Sequence, residues 1–375
     1  MVANLASLLN AAHTRRLVVK IGSALLVEAG QPRAEWLASL VEDLAEARSK
    51  GTEIIIVSSG AIALGAARLG LKRGGRASLA DAQAAASVGQ VALAQLWAQA
   101  LGERDMIAAQ MLVTLDDLED RRRYLNASAT LERLVANGAV PVINENDSVA
   151  TEEIRFGDND RLAARVAQAA DAAGVLLLSD VAGLYTSDPS KEGAELIERV
   201  EGVTPEIVAM AGSGSGSGLG SGGMLAKLQA ARIAERAGVT LGIIDGRSSH
   251  PLSRLRETGT GTVFLPVRSD SARKAWLGGR LTVEGVLTVD VGCVDALSNG
   301  ASLLAAGLIE VDGDFQRGAL VGLHGPKGER LGQGLVEYSA AECRAILGKR
   351  ESEQEAELGY APRAAVVHRD HMVQG

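Results

Sequence analysis

VPVINENDSVATEEIRFGDND, from Val140 to Asp160, opens on a strand-sized apolar run, Val140 to Ile143, and turns at once into Asn144, Glu145, Asn146 and Asp147. A second polar cluster, Asp158, Asn159 and Asp160, stands where Leu162, Ala163 and Val166 begin a helical pattern, with Asp158 or Asn159 as its cap. Strand, loop and helix in this order read as one unit of an open α/β sheet, in which ligands bind beyond the carboxyl ends of the strands. Asp oxygens suit an ammonium and Asn amides suit a carboxylate, so the loop carries the groups to hold a small zwitterion. Turn formation accounts for either cluster taken singly. With two on one loop, a plain turn and a binding loop are equally good readings.

The same unit recurs on both sides of this stretch. Leu17 to Ile21 is a short strand ending in Lys20, Ile21, Gly22 and Ser23, an arrangement that can aim an ammonium at a phosphate. A helix with Leu37, Leu40, Val41 and Leu44 inward follows over Ala34 to Lys50, stopped by Gly51. Glu53 to Val57, β-branched after the Glu, runs into Ser58, Ser59, Gly60 and Ala61. That turn presents backbone N–H groups to an anion, or is an ordinary helix cap by Ser58 or Ser59; the local residues fit both. The Ala-rich stretch Leu79 to Leu101 reads as a scaffolding helix. Met106 to Val113 and Val175 to Leu178 are further strands, the latter ending in Ser179 and Asp180. Strands alternating with helices predict an α/β fold whose mostly parallel sheet is sandwiched between helices.

Gly212 to Gly223 holds seven Gly and four Ser in twelve residues. It reads either as a flexible linker or as a phosphate-binding loop, because Ser221, Gly222 and Gly223 lead into a helix from Met224 to Gly238 with Lys227 one turn in. It matches neither GxxxxGK[ST] nor a dinucleotide fingerprint, which sets a nicotinamide enzyme aside. Thr240 to Ile244 adds a last strand.

Composition narrows the function classes. The apolar runs are strand-sized rather than membrane-spanning, and Met1 to Arg16 lacks the order of a signal peptide, so the expected location is the cytoplasm. Cys293 and Cys343 have no metal-ligand spacing, and no metal site is expected among the side chains. The net charge of -8 is uneven: Val283 to Ala361 carries six Lys and Arg against thirteen Asp and Glu, while the rest is nearly neutral. So acidic a region is poorly suited to a phosphate backbone, which makes RNA an unfavoured partner.

These pieces resemble the amino acid kinase family: VVKIGS around Lys20, VSSGAIALG from Val57, PVINENDSVAT from Pro141, FGDNDRLAA from Phe156, LLLSDVAGLYTSDP from Leu176 and GLGSGGMLAKLQAA from Gly218. INEND followed by GDND is specific to the branch acting on glutamate, whereas GGMxxK marks only the wider family. The resemblance implies ATP-dependent phosphorylation of the L-glutamate side chain, with ATP as co-substrate and Mg²⁺ on its phosphates. By motif, Lys20 and Lys227 stabilise the transferred group and Asp160 orients them. Ser59, Asn144, Asp147, Asp158 and Asn159 hold glutamate. Lys20, Ser179, Asp180, Ser221, Gly222, Gly223, Met224, Leu225, Ala226 and Lys227 surround ATP. Ser179 and Ser221 stand where the pattern has Thr, and the hydroxyl survives. The family also implies feedback inhibition by proline, hand-over to glutamyl phosphate reductase and a homo-oligomer. Residues 1–267 form the catalytic domain on this reading, 268–280 a linker, and 281–375 a small β-rich domain with its tail. NGASLLAAGLIEVDGDFQRG from Asn299 and GERLGQGLVEYSAAE from Gly328 resemble a PUA domain, to which we assign assembly or regulation.

Overall fold

The runs of Val, Ile and Leu lie side by side in one eight-stranded sheet. Its strands are β1 (Arg16–Ile21), β2 (Glu53–Ser58), β3 (Ile107–Val113), β4 (Ala139–Glu145), β5 (Gly174–Ser179), β6 (Arg199–Glu201), β7 (Thr240–Asp245) and β8 (Thr262–Leu265), in the spatial order β6-β8-β7-β5-β1-β2-β4-β3. β1 is parallel to β2 on one side, with Lys20 opposite Val57, and to β5 on the other, with Lys20 opposite Leu177. Every position of β1 and β5 is buried, the signature of a parallel sheet covered on both faces. The departure from parallel order is the pair β6 and β8, parallel to each other, of which β8 runs antiparallel to β7.

This computed structural model describes residues 4–149, 158–212, 221–266 and 283–374. The middle of the 140–160 loop, the Ser-Gly repeat over 213–220 and the expected linker at 268–280 lie outside the described residues. The chain divides into two compact units, Met1–Glu119 with Ala127–Ser269, and Asp120–Asn126 with Asp270–Gly375.

Five helices position the site in the first unit: α1 (Ala34–Ser49), α2 (Ala61–Leu69), α3 (Leu79–Gly102), α4 (Asp158–Ala169) and α5 (Ser221–Arg236). The helix expected from Met224 therefore starts three residues earlier, taking the paired glycines into its first turn. Neither Ser58 nor Ser59 caps α2. Its N-cap is Gly60 in a left-handed conformation (φ 119°), which a residue with a side chain would adopt only under strain, and both serine hydroxyls are thereby left for other partners.

In the second unit a five-stranded sheet, β9 (Gly285–Val289), β10 (Leu308–Gly313), β11 (Leu320–His324), β12 (Arg330–Leu335) and β13 (Met372–Gln374), is ordered β10-β9-β11-β12-β13. Its own core gathers Leu287, Val289, Phe315, Val321, Leu323 and Tyr338. Cys293 and Cys343 are free and buried, and burial pushes the Cys343 thiol up to about 12 and that of Cys293 up to about 11, so neither is a thiolate at neutral pH. No helix among the described residues is long and apolar enough to cross a membrane.

α2 and α3 cross with their backbones almost touching. A Cβ at Gly65 would stand 1.8 Å from the Ala85 carbonyl oxygen, and one at Gly89 would stand 1.7 Å from that of Ala61. Backbone cannot swing aside as a side chain can, so Gly65→Ala is expected to destabilise the first unit by roughly 1–3 kcal/mol or more. Urea unfolding checks this, and an unchanged midpoint would show that the crossing can open at no cost.

Candidate active site

The carboxyl end of β1 is the point from which the sheet is wound in two directions, with β2 on one side and β5 on the other. Lys20 lies one residue from the end of β1, and the strand beneath it is packed on both faces, so its side chain has a fixed root. Asp160 is in the first turn of α4, and Lys227 is in the second turn of α5. The three meet in the interior: Asp160 is 0% exposed, Lys20 6% and Lys227 9%. Lys20 Nζ stands 2.5 Å from Asp160 Oδ1, a close ion pair. Lys227 Nζ donates to Asp160 Oδ2 at 3.0 Å. Each carboxylate oxygen thus holds one ammonium.

The net charge of this triad is one positive. Burial by itself would raise the Asp160 carboxyl, but Lys20 and Lys227 outweigh it and hold the group below its ordinary 3.8. Lys20 is held below its ordinary 10.5, by burial first and then by the Lys227 charge, against the opposing pull of Asp160. α2, α4 and α5 all begin at this edge of the sheet, and their N-terminal dipole ends add to a field that favours an anion.

Beside the triad, the expected amino-acid residues form a chain of hydrogen bonds. Asn159 Nδ2 donates to Ser59 Oγ at 2.6 Å and to Asn144 Oδ1 at 3.1 Å. Asn144, at the end of β4 and 3% exposed, turns its Nδ2 to Gln90 Oε1 on α3 at 2.8 Å. Ser58 Oγ accepts from the buried Trp97 Nε1 at 2.9 Å, which ties the end of β2 to α3. Asp147 follows β4 and lines, with Gln90, Gln110, Asn146 and Ser148, a cavity of about 300 Å³. Asp158 and Asn159, expected as the cap of α4, are instead its first two helical residues.

On the β5 side, Ser179 Oγ donates to Asp180 Oδ1 at 3.1 Å, and the Asp180 charge acts on Lys20. Ser221 to Lys227 form the opening turns of α5, with Ala226 buried and Leu225 exposed. Two contributors were not found by reading the sequence. Gln90 lies in the helix read as scaffold; the adjoining Gly89, a helix-interior glycine marking close backbone approach, was the available signal. Arg76, whose charge interacts with Asp147, sits among the turn residues before α3 and has no local signature.

The amino acid kinase family model matches residues 15–245, and the PUA domain model matches residues 285–358. The chain belongs to the amino acid kinase family. A glutamate 5-kinase of Novosphingobium aromaticivorans is 61% identical to it, over 99% of this chain and 99% of that protein. The glutamate 5-kinase of Sphingopyxis alaskensis is 60% identical over 98% and 99%, and that of Zymomonas mobilis 53% identical over 96% and 91%. A family member with a second, PUA-type unit is thus matched along nearly its whole length.

Asp160→Asn would leave two buried ammoniums facing each other without the carboxylate between them, with only the more distant Asp180 charge acting on Lys20. The expected cost is about 3–5 kcal/mol at neutral pH, read from urea unfolding. Two signs accompany it. Wild-type stability supplied by Asp160 is complete above its unfolded value near 3.8 and lost as pH falls through the lower folded value. The deficit of the variant narrows as pH rises toward the ordinary lysine value of 10.5, since a crowded ammonium can then shed its proton. A variant as stable as wild type at pH 7 would remove Asp160 from its place as the organising charge.

Proposed function

We propose that this chain transfers the γ-phosphoryl group of ATP to the side-chain carboxylate of L-glutamate, forming L-glutamyl 5-phosphate, the opening step of proline synthesis. The observation that carries the reading is the buried carboxylate that holds Lys20 and Lys227 on its two oxygens, in a chain 61% identical to a glutamate 5-kinase.

The chemistry follows from charge. A glutamate carboxylate, with a pKa near ~4.3, is already ionised at neutral pH, so the nucleophile needs no general base. The obstacle is repulsion between that anion and the phosphates, in a transition state whose charge spreads over the phosphoryl oxygens. Two ammoniums fixed by Asp160 offer donors whose positions are set before reaction, so little reorganisation is needed as charge develops. Lys20, Ser179 and Asp180, with the opening turns of α5, are assigned to the nucleotide. Ser59, Asn144, Asp147, Asp158 and Asn159 are assigned to the amino acid.

Mg²⁺ fits this residue set as an ion carried on ATP. Such a metal is held by substrate phosphates and at most one or two carboxylates, and it supplies charge neutralisation at the phosphates. Asp180 is the carboxylate placed to assist, since both oxygens of Asp160 are taken by the lysines. An acyl phosphate is prone to hydrolysis, which suits the expected hand-over to a reductase. The acidic second unit has a role in assembly or regulation on this reading.

The test is ATP turnover with Mg²⁺ and L-glutamate, trapping the acyl phosphate as a hydroxamate, beside L-aspartate and N-acetyl-L-glutamate. Hydroxamate only with L-glutamate is the expected result; hydroxamate with another acid would reassign the substrate. Lys227→Ala should lower turnover about 10²- to 10³-fold, roughly 3–4 kcal/mol, as for loss of one preorganised donor. Turnover near wild type would take Lys227 out of the reaction.

A further inference from the structure

We infer that Gln90 is a positioning residue that holds the polarity of the amino-acid site, by closing the hydrogen-bond chain, anchored at its other end on the Ser58 carbonyl, that keeps the amides of Asn144 and Asn159 one way round. The inference rests on the glutamate reading above and deepens it.

An Asn side chain has a donor end and an acceptor end of nearly the same size, so shape alone does not choose between its two orientations. At this site a chain of contacts chooses. Gln90 presents its Oε1 to Asn144, and only the Nδ2 end of Asn144 can answer it. The Oδ1 end of Asn144 is then directed to Asn159, which must answer with its own Nδ2. That same Nδ2 reaches Ser59 Oγ, and more distantly the Ser58 carbonyl at 3.4 Å, so the donor capacity of Asn159 is spent within the protein.

Two groups are left over. Asn159 Oδ1 is buried and has no protein partner among the described residues, which leaves an acceptor for a ligand's donor. Ser59 Oγ, already accepting from Asn159, has its hydroxyl proton to give. L-Glutamate has one strong donor, its ammonium, and two carboxylates that only accept. The leftover acceptor therefore matches the ammonium and the leftover donor matches a carboxylate. Turning the two amides over would reverse the Asn159 end and set N–H against ammonium.

Gln90 can do this because of where its helix runs. It follows Gly89, whose missing side chain lets α3 lie against the Ala61 carbonyl at the start of α2. Two residues back from α2 stands Ser59, and Trp97 on the same helix α3 holds Ser58. The helix with no expected ligand contact thus approaches both the β2 and the β4 ends of the site.

Two variants separate polarity from packing. Gln90→Met removes the acceptor and keeps the length of the side chain. Gln90→Glu keeps an oxygen toward Asn144 and has nothing to donate. In Gln90→Met only a fraction of molecules hold the competent orientation, and apparent affinity falls by that fraction. The KM for L-glutamate should rise about tenfold or more, with that for ATP within about twofold, as for loss of one well-made hydrogen bond in recognition. In Gln90→Glu the glutamate KM should stay within about threefold of wild type. The rise in melting temperature given by saturating L-glutamate without ATP, which reports binding apart from turnover, should shrink in Met and persist in Glu. An unchanged glutamate KM in Gln90→Met overturns the inference, as does a rise of tenfold in Gln90→Glu or an equal rise in the two substrates' KM values. If Gln90→Met does not fold, Gln90→Lys, which offers Asn144 only donors, takes its place and should raise the glutamate KM about tenfold or more. Wild-type protein that forms no hydroxamate with L-glutamate fails the functional reading itself, an outcome distinct from all of these.

Discussion

One buried carboxylate, Asp160, is the constraint on which the first unit's active edge depends. An ammonium at 6% exposure and another at 9% would each carry a heavy desolvation cost, and together they would repel. Asp160 makes both tolerable, and it can do so because it has an oxygen for each. The three residues come from a strand end, the first turn of one helix and the second turn of another. Their meeting therefore requires β1, α4 and α5 to be placed together to within the length of an ion pair. The excess positive charge that remains is not a defect of the fold. It is what an incoming polyanion would find.

The surrounding architecture serves the same edge. A parallel sheet buried on both faces gives rigid strand ends, and the helices that begin there bring their positive dipole ends with them. Gly60, by capping α2 without a side chain, frees Ser59 to accept from Asn159 and Ser58 to accept from Trp97. The close crossing at Gly65 and Gly89 brings α3 near enough for Gln90 to reach Asn144. Small residues thus act at a distance from the chemistry, by letting larger ones arrive.

Most of the fold was legible. Each β-branched or leucine run read as a strand became one within a residue or two of its expected ends, because a strand buried on both faces needs an unbroken apolar run, whereas the short strands β6 and β8 were not foreseen. The polar residues that the structure gathers at this edge were legible as types at strand ends and helix starts: Lys20, Ser59, Asn144, Asn159, Asp160 and Lys227. Three features were not. Ser58 and Ser59 look like caps, and a local reading cannot tell that a left-handed glycine takes the cap instead. Leu79 to Leu101 looks like scaffold because its Gln and its Trp contact residues far away in sequence. β8 reverses direction against β7, which periodicity does not encode, since alternation is the same for a strand run either way.

By itself the sequence determined the layered α/β plan of the first unit and the polar groups at the carboxyl edge of its sheet. Those follow from local patterns, apolar runs for buried strands and small polar residues where strands end. Only the tertiary structure decided which groups share a charge and which way the amides face. Those are properties of contacts between groups far apart along the chain, Gln90 with Asn144 and Lys20 with Asp160. An ion pair or a hydrogen bond acts over about 3 Å, and only packing brings such distant groups that near.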